Sequence, residues 1–365
     1  METLYNIALT LLPGVGDKLG KVLMDYCGSA EAVFNEKKRN LEKIPDIGRV
    51  TAQKIVSQNV LKRAEEELRF IEKHKIQTLF FKDKHYPQRL LHCVDSPLML
   101  YFKGCVDFNV EKVVSIVGTR KCTDYGRSVI AQLLSDLKDD NVLVISGLAY
   151  GIDTLAHQIA LENQLTTVGV LGHGLDRIYP HQNRNLAKNM LENGGLLTDF
   201  LSNTNPDAVN FPSRNRIIAG LSDATIVVEA ARHGGALITA DIANTYNRDV
   251  FAVPGRLNDE RSEGCNFLIK TNKAALIESA QDIRYLLNWD LEERTKTIVQ
   301  PKLFLDLPDD QRIVFETLQN HPNAIVDELC NVLKLPLSKL STVMLQLEIA
   351  GIVEILPGKR WRILG

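Results

Sequence analysis

The chain is poor in the residues that staple, coil or anchor a protein. Its six cysteines (Cys27, Cys93, Cys105, Cys122, Cys265 and Cys330) are scattered, with no CxxC pair and no clustering with histidine. That argues against a zinc site or a disulfide framework and fits a reducing cytoplasm. No stretch of about 18 uncharged apolar residues occurs, so no membrane-spanning helix is expected. The opening METLYNIALTLLPGVG lacks a basic n-region and a small-residue cleavage site, so no secretory signal is expected. An excess of one charge is also missing: 43 Lys and Arg against 45 Asp and Glu leave a formal charge of −2. Any nucleic-acid contact must therefore be a local patch. What is present, 45% hydrophobic and 24% charged residues, is an ordinary globular composition. At 365 residues, two or three domains are expected.

Residues 1–75 read as helical. Two segments, LLPGVGDKLGKVLMDY and LEKIPDIGRVTAQKIV, each place a tight Gly-containing turn (Pro13–Gly16 and Pro45–Gly48) before an apolar helical stripe. This is the helix-hairpin-helix pattern, either a DNA-phosphate site or a purely structural unit. Residues 76–112 form a connector whose IQTLFF strand is expected to pack at the edge of the next domain. Residues 113–288 alternate apolar strand runs with helical stretches: VVSIVG (113–118), VLVISG (142–147), TTVGVLG (166–172), GLLTDF (195–200), ATIVVEA (224–230), DVFAVPG (249–255) and ALIES (275–279). Such runs mean a mostly parallel sheet covered on both faces, a doubly wound Rossmann-like α/β domain over 76–288. Residues 289–305 read as a polar linker. Residues 306–365 read as three helices and a β-hairpin around Pro357-Gly358, the winged-helix pattern.

Ligands of such sheets sit at the carboxyl ends of the strands. There the sequence places Gly118-Thr119-Arg120, then Gly147 with Tyr150 and Gly151, then Gly172-His173-Gly174. A later turn holds Phe211-Pro212-Ser213-Arg214-Asn215-Arg216, and another holds His233-Gly234-Gly235-Ala236-Leu237-Ile238-Thr239. Glycines let main-chain amides approach an anion, and arginines add bidentate phosphate contacts. The same glycines also make tight turns in any fold of this type. GxxxxGK[ST] is absent, and Gly118 opens no GxGxxG run, so neither a P-loop hydrolase nor a dinucleotide site is expected. Asp153, Asp176, Asp199, Asp223 and Glu229 are dispersed and read as helix caps, as Asp153 would be after Gly151, or as braces for arginines. His157 reads as a packed histidine. His173 is placed to approach a ligand but has no accompanying nucleophile. Phe211 is either a base-stacking platform or core.

In order, SIVGTR, SGLAYGIDTLAH, VGVLGHGLDRIYPHQN, FPSRNRIIAGLSDATIVVEA, GGALITA and VFAVPG resemble the DNA-processing protein A (DprA, or Smf) family over about residues 85–280. The resemblance implies a homodimeric, cytoplasmic, non-enzymatic protein without a cofactor. Such a protein binds single-stranded DNA, displaces single-strand-binding protein and loads the RecA recombinase during natural transformation. It implies DNA contacts from Gly118, Thr119, Arg120, Gly147, Gly151, Gly172, Phe211, Arg214, Asn215, Arg216, Gly234, Gly235 and Thr239. Tyr150 stands where the family commonly has Arg, and Gly234 where it commonly has Ser; Tyr150 is expected to exchange charge for stacking. Two rivals remain. One is a lysine-decarboxylase-like nucleotide phosphoribohydrolase, whose PGGxGTxxE turn is matched only in part and with no acid expected to follow. The other is a ligand-sensing winged-helix regulator. Against the latter, the 338–350 helix is poor in basic side chains, although Lys334, Lys339, Lys359, Arg360 and Arg362 lie in the unit.

Overall fold

The computed structural model describes residues 2–289, 307–321, 324–356 and 360–364. Six helices open the chain: α1 (Glu2–Thr10), α2 (Asp17–Cys27), α3 (Ala30–Asn35), α4 (Lys38–Leu41), α5 (Arg49–Val56) and α6 (Leu61–His74). Gly16 and Gly48 are the N-cap residues of α2 and α5, as the hairpin pattern predicts. Gly14, at φ +82°, makes the first turn possible at little cost.

A nine-stranded sheet follows: β1 (Gln77–Phe80), β2 (Met99–Cys105), β3 (Val113–Val117), β4 (Leu143–Ser146), β5 (Thr167–Val170), β6 (Gly194–Thr198), β7 (Ala224–Val227), β8 (Asp249–Ala252) and β9 (Ala275–Leu276). The order is β1-β2-β6-β5-β4-β3-β7-β8-β9. From β6 to β9 every pairing is parallel, while β1 and β2 run antiparallel at one margin. Chain order runs outward from β3 through β4, β5 and β6, then resumes on its other side with β7. The β3–β7 junction is therefore the topological switch point.

Strand residues alternate between faces because the side-chain period is two. Val114 and Ile116 join a core with α8 (Asp124–Asp136), α9 (Ile152–Glu162) and α14 (Ala280–Leu286). Val113 and Val117 face the opposite core, shared with α7 (Gln88–Leu91), α11 (Asn210–Leu221), α12 (Gly235–Thr245) and α13 (Glu263–Lys270). Helix α10 (Arg184–Met190) packs beside β6.

The helical unit is joined to the β2 margin by a shared core in which Ile7, Leu23 and Ile55 cluster with Phe80, Leu98, Met99 and Tyr101. Polar contacts cross the same seam. Buried Glu67 accepts from the Ser202 amide at 2.9 Å, and Asp17 accepts from the Leu98 amide at 2.9 Å. Trp289 packs into the sheet domain, and the rest of the expected linker lies outside the described residues. Beyond it come α15 (Asp309–Asn320), α16 (Val326–Leu333), α17 (Leu337–Ile349) and the strand pair β10 (Val353–Leu356) and β11 (Arg360–Ile363) around their own core. The Pro357-Gly358 turn is outside the described residues. Among the described residues, no helix is long and apolar enough to cross a membrane.

Candidate nucleic-acid interface

A cavity of about 310 Å³ opens at the switch point. Its walls come from Gly118, Thr119 and Arg120 after β3, Ala149 and Asp153 after β4, Phe211, Arg214 and Asn215 on α11, and His233, Gly234, Gly235 and Thr239 at the start of α12. Loops distant in sequence meet here because parallel strands end on the same edge of the sheet.

Helix α12 turns an uncapped N-terminus to the cavity. Its N-cap is Gly234, and no side chain caps it. The first amides of a helix have no intrahelical acceptor, and the helix dipole adds partial positive charge at that end. A Cβ placed on Gly234 would meet nothing within 4 Å, so the approach to these amides is open. Thr239 lies one turn further in, buried, with its hydroxyl donating back to the Gly235 carbonyl at 3.0 Å. It lines the cavity, but its donor is already in use.

The other glycine loops do a different job. Gly151 has φ +77°, and a Cβ there would strike the Thr119 carbonyl. The Ile152 amide, first in α9, donates to that same carbonyl at 3.1 Å. The Thr119 amide donates to the Glu229 carbonyl across the switch point at 2.7 Å. The start of α9 therefore ties the β3 loop down through its first amide. Asp153, expected from sequence to cap α9, does not do so. Its buried carboxylate reaches back to accept from the Gly147 and Ala149 amides at 3.1 and 3.4 Å. Burial pushes its pKa above the ordinary 3.8, opposed first by the nearby Arg214 charge.

The run Phe211–Arg216, read from sequence as a turn, lies in the first turns of α11. Proline is tolerated there because an amide at that end lacks a partner anyway. A helix advances about 100° per residue, so Phe211, Arg214 and Asn215 share a face while Arg216 points away. Arg214 is 4% exposed; its Nη1 donates to the Gly147 carbonyl at 2.6 Å and also to that of Val170. Its Nε has no partner among the described residues. Burial lowers its pKa to about 10, still well above neutrality. The guanidinium lies 5.9 Å from the Phe211 ring centroid, and Tyr179 packs on Phe211 at 6.0 Å. Phe211 is half-buried at the lip, and Gly172 sits beneath it: a Cβ there would stand 3.1 Å from the ring. Gly172 thus seats Phe211 and does not line the cavity. Likewise a Cβ on Gly147 would collide with the Arg214 guanidinium.

Arg216 corrects the expectation that it grips phosphate beside Arg214. It bridges Asp199 at 2.7 Å and Asp17 of the helical unit at 3.1 Å, and donates to the Asp95 carbonyl. Tyr150 is exposed beside the cavity, its hydroxyl donating to Gln182 at 2.5 Å, and is not among the cavity walls. His173 is buried on the Gly174 carbonyl and does not reach the ligand space, whereas His157 is packed on Thr167 at 2.7 Å, as expected. Arg120 remains exposed at the mouth. His233, not singled out from sequence, is exposed there too. An acid does follow the α12 turn, contrary to expectation: Asp241, exposed and 2.8 Å from Lys273, away from the cavity. In the winged unit Arg360 is buried 3.4 Å from Asp223, and Lys359 lies outside the described residues. Among the described residues no group of His, Cys, Asp and Glu is arranged to hold a metal ion.

Fold and rim together define a doubly wound α/β protein with an uncapped helix N-terminus at its switch point, flanked by helix-hairpin-helix and winged-helix units. Residues 77–288 match the model of the DNA recombination-mediator protein A family, 302–359 the DprA winged-helix domain, and 7–58 a SAM-like helix-hairpin-helix tandem. The chain belongs to the DNA recombination-mediator protein A (DprA/Smf) family. It is 31% identical to protein Smf of Synechocystis, covering 99% of this chain and 98% of that one. It is 38% identical to DNA processing protein DprA of Streptococcus pneumoniae, over 57% of this chain and 73% of that one. The crystal structure of the S. pneumoniae protein superposes with a TM-score of 0.67 at 31% identity, covering 78% of this chain and 97% of that one. DNA processing protein A of Helicobacter pylori, whose structure addresses its single-stranded DNA binding mode, superposes at 0.54 with 29% identity, over 59% of this chain and 97% of that one.

Proposed function

We propose that this protein binds single-stranded DNA at the switch-point cavity and loads the RecA recombinase onto it, as a cytoplasmic homodimer acting in natural transformation. One observation carries the reading. The uncapped α12 amides, exposed Arg120, buried Arg214 and lip residue Phe211 converge on one cavity. Amides and Arg120 hold phosphate, and Phe211 offers a base its face, a contact every base can make. Binding is therefore sequence-tolerant, with no reaction at the site. Gly118, Thr119, Gly147 and Gly151 shape the rim, Asn215 and Gly235 complete it, and Tyr150 extends it with an aromatic face in place of a cation. The H. pylori relative supports the choice of DNA, because the binding mode its structure addresses is for the single strand.

The test is fluorescence anisotropy with a labelled oligo(dT) and a matched duplex. The single strand binds more tightly. Arg120→Ala weakens it at low salt and lowers the slope of log K against log salt by about 0.7, the value for one phosphate of a single strand deprived of its cation. Equal affinity for the duplex, or an unchanged slope, refutes the reading. Recombinase loading is checked by adding the protein to DNA coated with single-strand-binding protein and following RecA's DNA-dependent ATPase, whose lag shortens.

A further inference from the structure

We infer that the switch-point cavity is complete for a single nucleotide, so that free nucleoside 5′-monophosphates bind it and compete with DNA. This deepens the reading of the cavity as a DNA site and rests on it. At about 310 Å³ the cavity lies at the small end of ligand pockets, which run from roughly 300 to 1,000 Å³. That holds one nucleotide and not several. Both things a nucleotide requires are present at its walls. The α12 amides and Arg120 face a phosphate, and Phe211, backed by Tyr179, offers a base its ring.

A second, independent observation points the same way. Arg214 is buried and lines the cavity, its Nη1 committed to carbonyls of Gly147 and Val170 and its Nε unpaired among the described residues. The buried guanidinium keeps its charge and backs the cavity wall with positive potential, which favours an anion in that space. Asp153, the acid on the cavity wall, is engaged by two amides and stands opposite the Arg214 charge, so it does not cancel Arg120. A terminal phosphomonoester carries about −1.5 to −2 at neutral pH, more than the single charge of a phosphodiester. Per site, the free nucleotide therefore has the stronger electrostatic attraction. The polymer prevails by presenting neighbouring nucleotides at high effective concentration.

The experiment titrates dTMP, thymidine and inorganic phosphate, at constant ionic strength, into the full chain bound to fluorescent oligo(dT). Because stacking on an aromatic ring contributes about 1–3 kcal/mol per base, dTMP is expected to displace the probe at concentrations about fivefold or more below those of phosphate. Thymidine, lacking the phosphate, displaces least. Arg120→Ala raises the dTMP concentration needed by several-fold. If dTMP is no better than phosphate while Arg120→Ala still weakens the oligonucleotide, the mononucleotide site is refuted and the DNA reading survives. If Arg120→Ala leaves oligonucleotide binding unchanged, both fall together.

Discussion

Arg120, Arg214 and Arg216 are one residue type with three different tasks, and substitution separates them. Arg120 is exposed, so its loss affects binding and leaves the melting temperature within about 1 °C, as surface substitutions usually do. Arg216 lies between Asp199 and Asp17, largely out of water. Arg216→Ala strands those carboxylates and is expected to cost about 3 kcal/mol, measured by urea denaturation, with little change in DNA affinity of the folded fraction. His157 gives a pH signature. Burial holds its pKa down to about 3 from the ordinary 6.5, so it is neutral in the fold and charged in the unfolded chain below 6.5. The unfolded state then binds the extra proton, and stability falls as pH drops from 6.5 toward 3 by up to about 1.4 kcal/mol per unit. His157→Asn flattens that slope; urea melts at pH 7 and 5 for both proteins give the comparison. From sequence alone, the chemistry of these residues was readable, but whether each is exposed was not. Exposure depends on partners such as Asp17, nearly 200 positions from Arg216.

Elements explain which parts of the site could be read. Each apolar run in 113–288 became a strand, the inner ones because parallel strands covered on both faces need apolar side chains, while β9 is a two-residue exposed edge. The polar stretch Ser213–Arg216 hid the start of α11. Its helical period shows only when Phe211, Arg214 and Asn215 are seen to share a face, and an extended reading would have put Arg214 and Arg216 together. Gly151 and Gly234 look alike in sequence, yet the first closes the start of α9 and the second leaves α12 open. Gly151→Ala is therefore expected to act on shape. It forces a side chain into a left-handed backbone against Thr119, costs about 2 kcal/mol, and weakens DNA by displacing the Arg120 loop. A crystal structure or amide-exchange map of that loop checks the displacement.

For the whole molecule, the helical unit and the sheet share one apolar cluster. A chain beginning at Ile76 would expose Phe80, Leu98, Met99 and Tyr101 to water. It is expected to bind hydrophobic dyes and to melt about 5 °C or more below the full chain, by calorimetry. The pairing of the units was not legible from their sequences, since each reads as self-contained and the seam is a matter of shape.

Helix α11 leaves a consequence for anyone scanning the protein position by position. Neighbouring letters there answer to different masters: 211, 214 and 215 to the cavity, 216 to the domain seam, 217 and 218 to the interior. A substitution map should therefore not shade smoothly along this stretch. Variants that lose binding and variants that lose folding should interleave with the screw of the helix, and averaging over neighbouring positions would erase the pattern.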